Sequence, residues 1–256
     1  MTTKVALITG AGSGMGQLSA WRLAADGVAV AAVDVNADGL ARTARRAPSI
    51  VNFECDVSDA HAVASLVERV TTELGPIDRL VNAAAIAPTR RLVEQPVEQI
   101  RRVMEVNYFG VVNTTMAVVP AMLERGAGDV VQYGSLAGWL PSQTFGAYSA
   151  TKAAVVSFSE TLYHELGAGR RGVRLVCVCP PIVDTPLLDQ VGPNGPKDFD
   201  RMPKLAPEVV LDAVEAALEA GDLFAFPGRG TTALWRMRRW APQVLWKRID
   251  KMEGTA

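Results

Sequence analysis

Residues 5–16, VALITGAGSGMG, decide the fold because they join a buried strand to a helix through a glycine-rich turn. Val5 to Thr9 form an apolar run of the kind found in strands that are covered on both faces. The turn from Gly10 to Gly16 allows backbone amides to approach a pyrophosphate at the positive end of the helix that follows. This order of strand, glycine turn and helix predicts a dinucleotide-binding site.

The alternation of strands and helices continues along the chain. Strands are predicted at 28–33, 50–55, 77–81, 130–131, 173–178 and 223–226, and helices at 59–74, 97–123, 148–167 and 207–220. This order predicts an α/β fold with a doubly wound parallel sheet and ligands at the carboxyl ends of its strands. At 256 residues with 49% hydrophobic content, the chain is expected to form a single domain over residues 1–256.

Composition and charge argue against several classes of partner. The net charge is −1 and the charged residues are mixed along most of the chain, which gives no field for attracting nucleic acid. Cys55, Cys177 and Cys179 have spacings that suit neither a zinc site nor a disulfide framework, so we expect no metal and a reducing compartment. The sequence has neither a signal-peptide pattern nor a run of 18 apolar residues, and a soluble cytoplasmic protein is expected.

The second predicted strand, 28–33, ends at a carboxylate, Asp34. A carboxylate at this position can accept hydrogen bonds from both hydroxyls of an adenosine ribose and would repel a 2′-phosphate. Neither Ser13 nor Val35 is an arginine or lysine that could receive such a phosphate. The sequence therefore favours NAD over NADP, the alternative being that Asp34 is an ordinary turn residue.

A cluster of three polar side chains is predicted within residues 130–152, VVQYGSLAGWLPSQTFGAYSATK. Ser135 follows a short strand, and Tyr148 and Lys152 lie four residues apart on one face of a helix. A free tyrosine titrates near pH 10, and a base for neutral pH needs a pKa lowered by about 2–3. A nearby ammonium group acts in that direction, so Tyr148 is predicted to transfer a proton while Ser135 hydrogen-bonds the substrate oxygen. A solvated surface pair is the alternative.

The motifs together resemble the short-chain dehydrogenase/reductase family. The resemblance runs from Lys4 to about Pro227, and the motifs occur in the family's order, with a family-like spacing between Ser135 and Tyr148. It implies a Rossmann-type sheet of about seven strands with helices on both faces, and hydride transfer between a nicotinamide and an alcohol or carbonyl carbon. The residues that carry it are Thr9, Gly10, Gly14, Gly16, Asp56, Asn82, Asn107, Ser135, Tyr148 and Lys152.

The resemblance also implies a role for each matched residue. Tyr148 would be the general acid/base, Ser135 would orient the substrate oxygen, and Lys152 would lower the tyrosine pKa and bind the nicotinamide ribose. Asn107 would hold a water that passes protons toward solvent. The implied cofactor-binding residues are Gly10, Ser13, Gly14, Met15, Gly16, Asp34, Asp56 and Val57 at the adenine, Asn82 beneath the adenosine ribose, Tyr148, Lys152, and Val183 and Thr185 at the carboxamide and diphosphate.

Two segments depart from the family's pattern. Its Asn-Asn-Ala-Gly stretch is Asn82-Ala83-Ala84-Ala85 here, which adds a methyl group where glycine allows close backbone approach. Its Pro-Gly segment is Pro180-Pro181, and Pro181 has no amide hydrogen to donate. We expect weaker or slightly displaced cofactor binding rather than loss of function.

Two segments of the second half bear on the substrate. Residues 185–207 contain five prolines, two glycines and interspersed apolar residues, which predicts a mobile lid over a mostly apolar pocket lined by Trp139 and Leu140. A plain surface loop is the alternative. Residues 228–256 form a basic, aromatic C-terminal extension with three open roles: packing on its own or a sister subunit, roofing the pocket, or weak contact with a membrane surface.

The leading hypothesis is an NAD-dependent oxidoreductase acting on an apolar secondary alcohol or ketone. One alternative is an NADPH-dependent 3-oxoacyl-type reductase, against which Asp34 argues. The other is a redox sensor that binds dinucleotide without turnover, which an intact set of Asn107, Ser135, Tyr148 and Lys152 disfavours. The resemblance further implies a homodimer or homotetramer formed through the predicted helices 97–123 and 148–167.

Overall fold

A computed structural model describes residues 4–192, 195–196 and 199–253. Its strands form one seven-stranded parallel sheet in the order β3-β2-β1-β4-β5-β6-β7, so the predicted doubly wound α/β sheet is confirmed. The strand order reverses between β1 and β4, and sheets of this kind bind ligands at the carboxyl ends beside that point. The strands are β1 Val5–Thr9, β2 Ala29–Asp34, β3 Ile50–Glu54, β4 Ile77–Asn82, β5 Gly128–Tyr133, β6 Val173–Val178 and β7 Phe224–Ala225.

Helices cover both faces of the sheet, and the strands alternate their side chains between them. Leu7 packs in the cluster beneath the helices at 60–73, 110–125 and 146–165, while Ile8 packs in the cluster beneath those at 14–25, 37–44 and 207–220. The whole of β1 is therefore buried, as its apolar run predicts. The helices are α1 Gly14–Ala25, α2 Ala37–Ala44, α3 Ala60–Glu73, α4 Val97–Met104, α5 Gly110–Arg125, α6 Gly146–Glu165, α7 Pro207–Ala220, α8 Thr231–Trp240 and α9 Pro242–Glu253.

The single helix predicted at 97–123 is wrong in one respect. After α4, a π-helical turn at Glu105–Phe109 interrupts the regular helix before α5 begins. Inside this turn the side chain of Asn107 hydrogen-bonds both backbone groups of Ile86. By length and composition, Val97–Arg125 could cross a membrane, but half of its apolar window is buried, as in a core helix. Turns of this kind often lie at functional sites.

Candidate active site

The glycine-rich turn after β1 folds tightly against the chain that follows β4. Gly10 has a φ of 67°, and a Cβ atom there would lie 2.8 Å from the Cα of Ala84. The Thr9 hydroxyl accepts hydrogen bonds from the amides of Ala83 at 3.1 Å and Ala84 at 3.2 Å. Glycine at position 10 is therefore required by both conformation and space.

The start of α1 has the features of an anion-binding helix end. Ser13 precedes α1 in extended conformation, and its side chain caps none of the first-turn amides of this twelve-residue helix in the described structure. Met15 and Gly16 lie in that first turn, where the helix dipole is positive. Across the turn stands Thr185, whose Cβ would lie 3.4 Å from a Cβ at Gly14. These groups fit a diphosphate held between the helix N-terminus and Thr185.

Asp34 ends β2 next to the same turn. Its Oδ2 accepts a hydrogen bond from the Gly12 amide and its Oδ1 accepts one from the Asn36 amide, both at 2.9 Å. Each carboxylate oxygen has about two acceptor positions, so both oxygens keep capacity for a further donor. The two amides hold the carboxylate in a fixed orientation, which fits a group that binds two ribose hydroxyls.

Asp56 and Val57 follow β3 and are held by the helical segment that includes α4 and α5. Arg102 donates to Asp56 Oδ2 at 2.8 Å, and the Ser58 hydroxyl donates to Oδ1 at 2.6 Å. Partial burial acts to raise the pKa of Asp56, but these hydrogen bonds outweigh it and hold the pKa below its ordinary value. Val57 packs directly on Gly110, where a Cβ would lie 2.6 Å from its Cγ2.

Asn82 belongs to a buried polar network that sequence analysis missed. Its Nδ2 donates to Gln132 Oε1 at 3.1 Å, and its Oδ1 accepts from the Thr114 hydroxyl at 2.7 Å. Gln132 in turn donates to Thr115 at 3.0 Å. The signal in the sequence was the amide side chain of Gln132 inside the apolar run of β5. The network fixes the carboxyl ends of β4 and β5 against α5.

Ser135, Tyr148 and Lys152 are brought together at the carboxyl end of β5. Ser135 is buried and begins the short 3₁₀ turn Leu136–Gly138, and its hydroxyl hydrogen-bonds the phenol of Tyr148. Tyr148 and Lys152 share one face of α6, with Lys152 Nζ 5.6 Å from the centroid of the tyrosine ring. The three side chains that the sequence singles out therefore meet at one place.

Gly138 is the residue that allows this approach. A Cβ at position 138 would lie only 2.8 Å from the backbone carbonyl carbon of Lys152 and 3.0 Å from the Ala153 nitrogen. Without a side chain, the 3₁₀ turn can rest directly on the backbone of α6. Ser135, at the start of that turn, is thereby held beside Tyr148.

The pKa of Tyr148 corrects one expectation from the sequence. Burial is the largest influence and raises the pKa of Tyr148 to about 12, although the hydrogen bond from Ser135 opposes it. Burial also lowers the pKa of Lys152 to about 8, and its Nζ donates to the Tyr133 carbonyl at 2.7 Å. The side chains of this chain therefore do not by themselves give the lowered tyrosine pKa that was expected from Lys152.

Lys152→Met is expected to raise the free energy of unfolding by about 1 kcal/mol at pH 7. A pKa lowered from 10.5 to about 8 means that folding disfavours the ammonium form. The penalty, about 3 kcal/mol, is complete below pH 8 and disappears as the pH rises toward 10.5. Loss of the bond to the Tyr133 carbonyl, whose donor is charged, offsets about 2 kcal/mol of this gain. Urea unfolding of this variant beside Lys4→Met, an exposed control, measures the change, and a less stable Lys152→Met would contradict it.

Asn107 ties the chain after β4 to α6. Its Oδ1 accepts from the Ile86 amide at 2.8 Å, and its Nδ2 donates to the Ile86 carbonyl at 2.9 Å and to the Thr151 hydroxyl at 3.2 Å. Thr151 donates onward to the carbonyl of Tyr148 at 2.7 Å. Asn107 therefore positions the N-terminal part of α6, and its expected contact with a water stays a prediction.

The two departures from the family's pattern cause no backbone distortion here. Ala168 is the one non-glycine residue with positive φ in the described ranges, so Ala85 does not occupy a conformation that requires glycine. The Pro180 carbonyl accepts a hydrogen bond from the Leu136 amide at 2.9 Å, which joins the Pro180-Pro181 segment to the turn after Ser135. Val183, which follows, is buried and pairs with Leu205.

The segment 185–207 lies against the candidate site. Gln190, in the 3₁₀ turn Pro186–Gln190, accepts a hydrogen bond from the Ala87 amide at 2.7 Å. The Phe199 ring lies 5.9 Å from that of Phe145, which lies 6.0 Å from the ring of Tyr148. The mobility expected of this segment stays a prediction, and residues 193, 194, 197 and 198 lie outside the described residues.

The C-terminal extension packs on its own chain, one of the three roles left open by the sequence. It forms two helices, α8 and α9, the second of which begins at Pro242, and the Trp235 ring of α8 lies 5.9 Å from that of Trp139. Residues 254–256 lie outside the described residues. Within the described ranges, no group of three histidine, cysteine or acidic side chains could hold a metal ion.

Comparison with known proteins gives a family match over most of the chain. A sequence model of a family described as "short chain dehydrogenase" matches residues 4–195. The solved structure of a short-chain dehydrogenase/reductase from Burkholderia phymatum in complex with NAD superposes with a TM-score of 0.85 and 28% identity. That comparison covers 94% of this chain and 95% of the other.

Two curated relatives differ in how much of their length is matched. "Probable oxidoreductase EphD" of Mycobacterium bovis is 34% identical over 257 residues, which is 93% of this chain and 43% of the relative. The chain thus spans less than half the length of that protein. "2-dehydro-3-deoxy-L-rhamnonate dehydrogenase (NAD(+))" of a Sphingomonas species is 37% identical over 199 residues, which is 77% of this chain and 79% of the relative.

Proposed function

Because the chain belongs to the short-chain dehydrogenase/reductase family, we propose that it is an NAD-dependent oxidoreductase that moves a hydride between the cofactor and a secondary alcohol or ketone of apolar character. The meeting of Ser135, Tyr148 and Lys152 carries this proposal. They lie at the carboxyl edge of the sheet that also bears the glycine turn, where this fold binds its ligands.

In the proposed reaction Tyr148 takes the hydroxyl proton of an alcohol as the hydride leaves its carbon, and returns that proton when a ketone is reduced. Ser135 orients the substrate oxygen through the hydroxyl that also bonds Tyr148. When bound, the cofactor supplies the nicotinamide carbon that exchanges the hydride and, in its oxidised form, a positive charge that favours the phenolate. Lys152 adds its own charge from the same helix face and binds the nicotinamide ribose.

The proposed cofactor site follows the sheet edge. The diphosphate would be held by Gly10, Ser13, Gly14, Met15, Gly16 and Thr185. The adenosine ribose would be bound by Asp34 and Asn82, the adenine by Asp56 and Val57, and the carboxamide by Val183. The bonds from Arg102 and Ser58 support the adenine role because they leave Asp56 ionised and oriented. The NAD(+) in the name of the Sphingomonas relative supports the choice of cofactor.

Asp34→Ala is expected to lower the ratio of kcat/KM for NAD to kcat/KM for NADP by about tenfold or more. Loss of the carboxylate removes two hydrogen bonds from the ribose and the repulsion of a 2′-phosphate, a combined effect of about 1–3 kcal/mol. The measurement is kcat/KM for NAD and NADP with one alcohol. Asp38→Ala, in the first turn of α2, is the matched control and should keep the preference of the unmodified protein. An unchanged ratio in Asp34→Ala would remove Asp34 from the cofactor site.

Apolar side chains in front of Tyr148 support the proposed substrate class. The Phe145 ring contacts the ring of Tyr148 on one side and that of Phe199 on another. Residues 185–207 would close over the substrate as a lid. Incubating the protein with NAD and a panel of hydrophobic secondary alcohols, and following absorbance of the reduced cofactor, tests the activity.

A wider panel of substrates, measured with both NAD and NADPH, separates the alternative functions. Inclusion of sugar acids covers the substrate class named for the Sphingomonas relative. Faster turnover of 3-oxoacyl thioesters with NADPH would favour the 3-oxoacyl-type reductase, and tight NAD binding with no turnover of any substrate would favour a redox sensor.

We also propose that the protein assembles as a homo-oligomer. Phe109 and Met116, on the helical segment that contains α5, are 48% and 52% exposed, which supports a homodimer or homotetramer through α5 and α6. Light scattering that gives a single-chain mass would overturn this assembly.

The free thiols of Cys55, Cys177 and Cys179 support a location in the reducing cytoplasm. Any weak contact of residues 228–256 with a membrane surface would appear as salt-sensitive sedimentation with anionic vesicles.

A further inference from the structure

Trp139 links the candidate site to the C-terminal extension through its backbone. It lies in the loop that joins Ser135 to Tyr148, and its carbonyl oxygen accepts a hydrogen bond from Nε of Arg238 at 3.0 Å. Arg238 belongs to α8, which lies beyond the residues 4–195 matched by the family. A charged donor from a distant helix therefore holds the backbone of this loop.

The indole of Trp139 is held by the same helix. Its ring lies 5.9 Å from Trp235 at 78° and 5.7 Å from Phe224 at 80°, both edge-to-face arrangements. Trp235 also stacks on Phe226 at 4.9 Å, so it joins the end of the sheet to the loop. Two buried cysteines, Cys177 in β6 and Cys179 just after it, are covered by Trp139, Phe224 and Phe226. The loop is thus held between the sheet and α8.

Trp235 and Arg238 act from one face of α8, because residues three apart in a helix are neighbours. Arg238 is itself oriented by α9, since its guanidinium lies 5.2 Å from the centre of the Trp246 ring. The buried Thr231 hydroxyl donates to the Phe226 carbonyl at 2.8 Å and fixes the start of α8 after β7. Both helices of the extension therefore contribute to the position of these two side chains.

We propose that Trp235 and Arg238 are positioning residues that hold the loop 136–142 over the site and thereby set how the substrate is bound. This inference rests on the proposed function, because the loop lies between Ser135 and Tyr148. Inside the loop, the amides of Ala137, Gly138, Trp139 and Leu140 bond to Ser135 or Leu136. Its start also rests on α6 at Gly138 and bonds the Pro180 carbonyl through the Leu136 amide, whereas α8 holds the carbonyl and the ring of Trp139. A shift of about 1 Å at a reacting group can cost about 100-fold in rate.

The chain offers a matched control for each residue on the same helix. Trp240 is 82% exposed, and Arg236 is exposed. Trp235→Ala and Arg238→Ala are expected to lower kcat/KM for the alcohol by about tenfold or more, mainly through KM, while the dissociation constant for NAD stays within about twofold. Trp240→Ala and Arg236→Ala should match the unmodified protein, and Trp235→Phe should recover much of the loss. Equal effects of Trp235→Ala and Trp240→Ala, or parallel losses of NAD and substrate affinity, would overturn the proposal.

Hydrogen–deuterium exchange tests the same inference without turnover. The amides of Gly138, Trp139 and Leu140 should exchange faster in Trp235→Ala and Arg238→Ala, and at unchanged rates in Trp240→Ala and Arg236→Ala. This result is independent of the substrate, so it remains decisive even when no alcohol in the panel is oxidised. Unchanged exchange of these amides in Trp235→Ala would contradict the positioning role, whereas absence of turnover in the unmodified protein would contradict the proposed function alone.

Discussion

Tyr148→Phe is expected to reduce turnover by about 1,000-fold and to leave the affinity for NAD within about twofold. The substitution removes only the hydroxyl that transfers the proton. The phenyl ring keeps its contact with Phe145 at 6.0 Å, so the local packing is preserved. Steady-state rates of alcohol oxidation and titration of NAD by intrinsic fluorescence measure the two quantities separately.

Tyr163→Phe is the matched control for this experiment. Tyr163 lies on the same helix, and its hydroxyl donates to the Gly221 carbonyl at 3.2 Å on the protein surface. This variant should retain turnover. Equal loss of NAD binding and turnover in Tyr148→Phe would mean that Tyr148 is structural, and retained turnover would exclude it from proton transfer.

Gly138→Ala is expected to lower kcat by about 100-fold, the second-largest effect predicted for a single substitution. The added methyl carbon would lie 2.8 Å from the Lys152 carbonyl carbon, so the 3₁₀ turn or α6 must move. Because Ser135 begins that turn, the displacement changes its distance to Tyr148. The same crowding should cost about 1–3 kcal/mol of stability, measured by urea unfolding.

Gly126→Ala separates loss of stability from damage to the site. Gly126 ends α5 with a φ of 65°, and a Cβ there meets no atom within 4 Å. Alanine at this left-handed position should cost about 1 kcal/mol of stability without changing kcat. A Gly138→Ala variant that resembles Gly126→Ala in both measurements would show that the turn does not need its close contact with α6.

The parts of the structure that depend on local sequence pattern were predictable. Burial accounts for the apolar runs that predict β1, β2 and β6, and helical periodicity accounts for the apolar positions of α7. Asp34 and Ser135 were found because each lies at the carboxyl end of a strand. Tyr148 and Lys152 share a helix face because they lie four residues apart. These inferences needed no knowledge of distant contacts.

The parts that depend on partners far along the chain were not predictable. The π-helical turn arises where Asn107 bonds Ile86, and the role of Gln132 depends on Asn82 and Thr115. The effect of Lys152 on Tyr148 was inferred from charge alone, whereas the pKa of each group is dominated by burial. The packing of the C-terminal extension on its own chain, seen where Trp235 contacts Trp139, was one of three roles that the sequence left open.

The network of Asn82, Gln132, Thr114 and Thr115 limits the mutational routes open to this chain during evolution. An exchange of one member for an apolar residue leaves its partner without a hydrogen bond in a site that water does not reach, at a cost of about 1–3 kcal/mol. Replacement of several members together by apolar groups of similar shape avoids most of that cost. Drift at these four positions should therefore proceed in correlated steps, and lineages that change one should change its neighbours as well.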